Sequence, residues 1–331
     1  MTVSKGGLLA CLSIGLFLLF CSPERDNPYD PKSPQINHSQ ISGRIMTKVG
    51  NPIRNAQISL SFQDVNKTVA TLSDTNGNYE LEYFYTSDMG DLAFLSVSKS
   101  NFAQEQKFLR PDLNKTDTVN FVLDALPQFS AESIISYHER FLFPAGDNYT
   151  AIFNVKVTDQ DGQGDIESVY VFMPAISDTY TLDHYPNDIY RKTVPAESLS
   201  GGSLEKLIGT DCFFEVLSVT GVRTKSSAYR LNRIIYDVPE PISPSGDTVN
   251  LNFQCVWYNL PLSFPYNYGV ELYYLRGLIP ELSYQTTTIP PTDTMITIPG
   301  LLTPGRYYWQ ALVKDGFGNI SKSIQLLFYL Q

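Results

Sequence analysis

The segment LTPGRYYWQALVKDGFGNIS (residues 302–321) opens on Pro-Gly, closes on Asp-Gly-Phe-Gly-Asn, and between them sets Tyr307, Trp309, Ala311 and Val313 at every second position. A spacing of two is the side-chain period of a β-strand, because successive Cβ atoms leave the pleated backbone on opposite faces. The segment therefore predicts a strand with a turn at each end and those four side chains directed into a core. A slip of one residue would put Trp309 in solvent, so the pattern fixes the parity. An earlier segment, FQCVWYNLP (253–261), predicts a second strand carrying the other tryptophan, Trp257.

Elsewhere in the chain no long stretch repeats apolar residues at helical period. Short alternating runs punctuated by Gly, Pro, Asn and Asp recur from residue 40 to the end, the pattern of antiparallel sandwiches. A composition of 43% hydrophobic residues with 21 Tyr and 19 Phe supplies a core and favours strands. The expected fold class is all-β: three consecutive antiparallel β-sandwich domains after a signal peptide and a proline-rich tether. Prolines 127, 239, 241 and 244 fall between clusters of strands and mark the joints. The expected domains span 39–126, 127–238 and 239–331.

In the first domain, ISGRIMTKVGNPIRNAQISLSF (41–62) reads as strand, turn, strand, with Ala56, Ile58 and Leu60 sharing one face. TLSDTNGNYEL (71–81) adds a hairpin: Asn76-Gly77 tolerates the positive φ of a tight turn, and Tyr79 and Leu81 point inward after it. Gly43, Pro52, Ala56, Asp74, Gly77 and Tyr79 together resemble the carboxypeptidase regulatory-like domain, a transthyretin-like sandwich. That resemblance implies a fold and no activity, since the module is an accessory to a catalytic domain not found here. In the second domain, NYTAIFNVKVTDQDGQGDIESVYVFM (148–173) reads as two strands around a turn, with Ile152, Phe153, Val155 and Val157 followed by Val169, Val171 and Met173. It resembles an immunoglobulin-type bacterial surface domain. The third domain resembles fibronectin type III, whose Leu-x-Pro-Gly-x-x-Tyr spacing selects Tyr308 as the corner tyrosine, whereas the alternation selects Tyr307.

At the N-terminus, Lys5 precedes an apolar run, Gly6 to Phe20, that ends at Cys21 and turns at once to SPERDNPYDPKSP. A run of that length spans roughly 22 Å as a helix, short of a ~30 Å hydrocarbon core. It has the layout of an export signal. The junction resembles a bacterial lipoprotein signal (residues 1–20) with Cys21 as the lipidated residue and 21–38 as the tether. Leu18 and Leu19 suit that motif, and Phe20 departs from its small residue. Ordinary secretion and an uncleaved anchor are the alternatives. The resemblance implies anchoring in the bacterial cell envelope, and Ser22 resembles the residue of lipoproteins sent to the outer membrane.

Catalytic parts are sparse. His38, His138 and His184 have no Glu or His at metal-ligand spacing, and neither G-x-S-x-G nor a P-loop occurs. No catalytic residue, metal or cofactor is expected. Formal charge is −10 without basic clusters, which excludes nucleic acid as a natural partner. Cys212 and Cys255 read as buried free thiols, with a bridge between domains as the alternative. Asp159, Asp161 and Asp165 read as a polar turn, with a calcium loop as the alternative. Tyr180, Tyr185 and Tyr190, and Phe264, Tyr266 and Tyr268, sit in loop-like context and either plug their own sandwich or meet a ligand. The function expected is that of a non-catalytic membrane-anchored lipoprotein presenting β-sandwich modules to a protein or glycan partner, or helping to assemble the envelope; the alternative is a secreted or surface carbohydrate-binding accessory.

Overall fold

The structure, a computed structural model, describes residues 38–112, 115–277, 279–300 and 302–331. The signal peptide, Cys21 and all of the tether up to residue 37 lie outside the described residues. The chain forms two compact units, one ending at Ala125 and the other running from Leu126 to Gln331.

The first unit contains β1 (His38–Thr47), β2 (Gln57–Phe62), β3 (Thr68–Leu72), β4 (Asn78–Phe84), β5 (Ala93–Ser98), β6 (Glu105–Leu109), β7 (Thr116–Thr118) and β8 (Phe121–Leu123). One sheet runs β4-β1-β7, with β8 also on β1, and the other runs β3-β2-β5-β6. Pairing is antiparallel except where β7 and β8 lie parallel to β1. Ala56, Ile58, Leu60, Tyr79 and Leu81 are buried in the core between the sheets, as the alternation predicted. The residues behind the regulatory-domain resemblance have structural work to do. A side chain at Gly43 would run into the Val119 carbonyl, and the Tyr79 hydroxyl donates to that same carbonyl at 2.7 Å. Asp74 accepts from the amides of Asn76 and Asn78, both at 2.8 Å, and Gly77 takes φ +77° to close the turn.

The second unit begins with β9 (Gln128–Leu142), β10 (Ala145–Thr158), β11 (Ile166–Met173), β12 (Asp178–Thr181), β13 (Asp183–Tyr185), β14 (Ile189–Pro195), β15 (Phe213–Ser218) and β16 (Arg223–Lys225). It continues with β17 (Pro241–Ser243), β18 (Thr248–Val249), β19 (Gln254–Trp257), β20 (Tyr266–Arg276), β21 (Ile279–Ile289), β22 (Met295–Thr297), β23 (Gly305–Asp315), β24 (Ile320–Lys322) and β25 (Leu326–Leu330). A ten-stranded sheet runs β13-β14-β10-β9-β24-β23-β20-β21, with β25 on β23 and β18 on β25. Two smaller sheets, β12-β11-β15-β16 and β17-β19-β22, complete the unit.

Two cores result. One holds Phe153, Val155, Val157, Val169, Val171, Met173 and Cys212; Ile152, of opposite parity, is only half-buried. The other holds Cys255, Trp257, Tyr268, Tyr307, Trp309, Ala311 and Val313. The alternation in 302–321 therefore gave the correct parity. The Tyr307 hydroxyl donates to the Thr303 carbonyl at 2.8 Å, four residues upstream, so Tyr307 makes the corner bond that motif spacing assigned to Tyr308. The Trp309 indole donates to the Pro244 carbonyl at 2.8 Å, and Trp257 packs on Tyr268 with ring centroids 5.4 Å apart.

The two cores share one sheet because β24 lies parallel to β9, pairing Ile320 with Tyr137, Ser321 with His138 and Lys322 with Glu139. Buried side chains staple this seam. The Asn319 side-chain oxygen accepts from the Ser136 amide at 2.8 Å, and its nitrogen donates to Asp315 at 2.9 Å. His138, fully buried, bridges Ser321 Oγ and Asp147 Oδ1, each at 2.8 Å. Arg233 pairs with Asp315 at 3.3 Å and lies over the Phe264 ring at 4.1 Å.

A shared sheet has a thermodynamic consequence. Trp309→Ala is expected to cost about 3–5 kcal/mol, the usual loss for truncating a buried aromatic. That cost should move the whole of 126–331 to a lower melting temperature, while the transition of the first unit stays in place. Differential scanning calorimetry checks this; a mutant in which only 239–331 melts early would show the seam does not couple the two cores.

Candidate functional site

Strand parity determines what the ten-stranded sheet shows on the side away from the Trp309 core. Tyr268, Val270 and Leu272 of β20 enter that core, so Glu271 and Tyr273 take the opposite face; on β23 the same holds for Tyr308 and Gln310. Glu271 and Lys322 are both buried there and form an ion pair at 2.6 Å. The Glu271 carboxylate also accepts from Tyr273 OH at 2.8 Å, Gln285 Nε2 at 2.9 Å and Gln310 Nε2 at 3.0 Å. Tyrosines cover the pair: Tyr273 stacks on Tyr308 with centroids 4.8 Å apart, and the Lys322 ammonium sits 5.1 Å from the Tyr137 ring centre.

Burial pushes the Glu271 carboxyl up, but the Lys322 charge and the donated hydrogen bonds outweigh it and hold the group below the usual glutamate range. Glu139, beside it, is raised, chiefly by burial. Burial likewise raises the hydroxyls of Tyr137, Tyr273 and Tyr308. A buried pair of this kind offsets its desolvation only when the remaining lone pairs and protons are satisfied; these donors satisfy the carboxylate, while the Gln310 side-chain oxygen has no hydrogen-bond partner among the described residues.

At one end of this face lies a groove of about 530 Å³ between the β9–β10 turn and the β20–β21 turn. Arg306 and Tyr308 lie along it, Phe141 and Phe143 stand on one side, and Leu275 and Leu327 border it. The Phe143 ring is 88% exposed and Leu327 44%. Arg140 is committed to Asp147 at 2.9 Å. Among the described residues Arg306 makes no ion pair, and its side chain is exposed. Beyond Glu139, β9 runs on to Leu142 with no strand on its β24 side among the described residues.

The aromatic residues singled out in the sequence lie elsewhere. The stretch 177–195 is strand-rich (β12, β13, β14) and not the loop its polarity suggested, and Tyr190 is buried in the first core of the unit. Tyr180 OH donates to the Ser198 carbonyl at 2.7 Å, while Tyr185 stays exposed. Tyr266 and Tyr268 belong to β20; Tyr268 is fully buried, and its hydroxyl accepts from the Leu260 amide at 2.6 Å. Most of these rings therefore plug their own sandwich. Cys212 and Cys255 are free, buried in different cores, and both thiols are raised by burial, Cys212 to about 11.

Asp159 Oδ1 accepts from the Asp161 amide at 2.7 Å, the Gly162 amide donates to the Asp159 carbonyl at 3.2 Å, and a 3₁₀ turn follows over Gln163–Asp165. The carboxylates of Asp161 and Asp165 come within 4.8 Å of each other. Asp159 thus serves the backbone geometry of the turn.

Tyr137, Glu139, Tyr273, Arg306, Gln310 and Lys322 were not singled out in the sequence. The signal for part of them was present: the parity that sends Trp309 inward sends Tyr308 and Gln310 outward.

No protein-family model matches the chain, and no curated protein sequence matches it. Among solved structures it is similar to 3-chlorocatechol 1,2-dioxygenase from Rhodococcus opacus 1CP, at 8% identity and a TM-score of 0.22, over 27% of this chain and 61% of that one. It is similar to the TIE protein of Bacillus anthracis, at 7% identity and a TM-score of 0.25, over 89% of this chain and 50% of that one. It is also similar to the chicken CNTN1 FN1-FN3 domains, at 11% identity and a TM-score of 0.22, over 62% and 64% of the two chains. The chain thus covers less than two thirds of the length of each. Scores this low carry nothing about activity, and the all-β assignment rests on the strands described above.

The buried pair generates a prediction. Lys322→Met leaves Glu271 charged and buried, and should cost about 3–5 kcal/mol in urea unfolding; Lys322→Met with Glu271→Leu should recover at least half of that. Because Glu271 titrates lower in the folded state than in the unfolded one, its contribution is complete above the ordinary glutamate value, about 4.3, and is lost as pH falls through the folded value. Glu139, raised by burial, contributes with the opposite sign. The melting temperature of the wild type should therefore fall more steeply below about pH 4.3 than that of Glu271→Gln. Parallel acid profiles would count against the pair.

Proposed function

We propose that this chain is a non-catalytic binding protein, held at a bacterial envelope membrane by a lipid on Cys21, that presents its β-sandwich modules to a protein partner. One observation carries the binding part. The groove beside Tyr308 is preformed by the ends of paired strands, walled by exposed apolar side chains, and contains a guanidinium, Arg306, without an ion-pair partner among the described residues. Sites that bind ligands are typically concave, largely apolar, and fitted with a few convergent polar groups. The anchor rests on the run from Gly6 to Phe20, the cysteine after it and the polar, proline-rich tether. Among the described residues no helix is long and apolar enough to cross a membrane.

A protein partner fits this face better than a glycan. Binding of sugar by an aromatic row needs open ring faces side by side. Here Tyr273 and Tyr308 turn their faces to each other and Lys322 covers Tyr137.

Mass spectrometry of the mature N-terminus tests the anchor. The expected result is an N-terminal Cys21 carrying the mass of a diacylglyceryl group, and Cys21→Ala should leave the membrane fraction as an uncleaved precursor. A free N-terminus at any other residue would overturn it.

A further inference from the structure

We propose that the groove beside Tyr308 takes an extended, mostly apolar peptide segment bearing one carboxylate side chain, bound as an added strand along β9 with that carboxylate on Arg306. The inference rests on the binding reading above and names the chemistry of its partner.

β9 pairs with β10 along its whole length, but on its other side only Tyr137, His138 and Glu139 meet β24. Residues 140–142 continue the strand past the end of β24, and among the described residues no strand pairs with them on that side. An extended segment can pair there, since strand addition draws its affinity from main-chain hydrogen bonds and its specificity from pockets for alternate side chains. The open stretch is short, and the far edge of β25 is already taken by β18 and by the Gly246 amide on the Leu327 carbonyl, so an added strand would pair with β9 alone.

Phe143, Leu142 and Leu327 are exposed by 88%, 50% and 44%, and they flank the groove on both sides. Exposed apolar side chains gathered at one concavity mark an interaction surface, whereas single ones scattered elsewhere do not.

The chain as a whole carries −10, so it repels an acidic run at long range. At physiological ionic strength that repulsion fades over about 8 Å, within which the exposed Arg306 guanidinium dominates the groove. Arginine presents a planar fork that matches a carboxylate with two parallel hydrogen bonds. Local attraction and global repulsion together select one acidic side chain in an apolar segment, not a polyacidic tail.

A displayed library of random ten-residue peptides, panned on the immobilised full chain after depletion on Arg306→Glu, tests this directly. Enriched sequences should carry apolar residues at alternate positions and a single Asp or Glu. A selected peptide, labelled and titrated by fluorescence anisotropy, should bind at least tenfold more weakly to Arg306→Glu and to Phe143→Ser, each checked for native circular dichroism. Lys67→Glu, in the first unit, should bind it as the wild type does. No enrichment, enrichment of basic or neutral sequences, or equal binding by Arg306→Glu overturns the proposal. Saturable binding of an oligogalacturonate competing at the same groove, with no peptide enriched, would overturn it in favour of an acidic glycan. A lipidated Cys21 with a negative panning result would remove this inference alone and leave the anchor standing.

Discussion

Three residues of β24 laid parallel to β9 join the two halves of the larger unit, and the joint holds because its polar groups are buried and satisfied. A parallel pair of that length has little stability of its own. What fixes it is side-chain chemistry spanning some 183 positions of chain: Asn319 reaches the Ser136 amide, and His138 reaches Ser321. Each of these groups would cost roughly 1–3 kcal/mol if left buried without a partner, so sliding the strands by one residue is penalised several times over. Asp315 closes the arrangement by accepting from the amides of Phe317 and Asn319, both at 2.9 Å, which shapes the turn that delivers β24 to β9.

The seam also determines where Lys322 stands. It is the last residue of β24, and its position beside Glu139 places its ammonium on the Glu271 carboxylate of β20, two strands away. Packed hydrophobic residues would give similar stability at lower desolvation cost. The ionic version differs in being intolerant of register error: β9, β24, β23, β20 and β21 each contribute a side chain to one small cluster, and any shift strands a charge.

How much of this the sequence discloses depends on whether a feature is local. Alternation is local, and it was enough to place Tyr307, Trp309, Ala311 and Val313 inside and to choose Tyr307 over Tyr308 for the corner bond. The Asp74, Gly77 and Tyr79 hairpin is equally legible, since its hydrogen bonds close within a few residues or onto one neighbour. Read locally, 177–195 looks like loop, because its strands are short and its apolar residues few. The structure makes it strand because Ile189–Pro195 pairs along β10 and buries Tyr190 and Val194, a tertiary effect overriding weak propensity. The seam is still less legible. Asn319 reads as a turn residue and His138 as an isolated histidine, and nothing in either neighbourhood points to a partner most of a domain away. The candidate groove falls between these cases: Tyr308 is marked as outward-facing by parity, but Phe143 and Arg306 become neighbours only when β9 and β23 are brought into one sheet.

That sheet also accounts for why a groove exists there. β23 is flanked on one side first by β24 and then by β25, so the chain must step outward between them at residues 323–325. Ser323 makes the step possible: its amide donates to the Ala311 carbonyl at 2.8 Å and its hydroxyl accepts from the Ala311 amide at 2.9 Å, keeping β23 satisfied where no regular strand lies beside it. Once the chain has stepped, β25 stays with β23 and no longer accompanies β9, whose last residues lose their neighbour. The opening between them is thus a direct result of ending one strand at Lys322 and starting the next at Leu326. The same register that brings the lysine to its glutamate parts the sheet beside Tyr308, where the last residues of β9 and Arg306 line one groove.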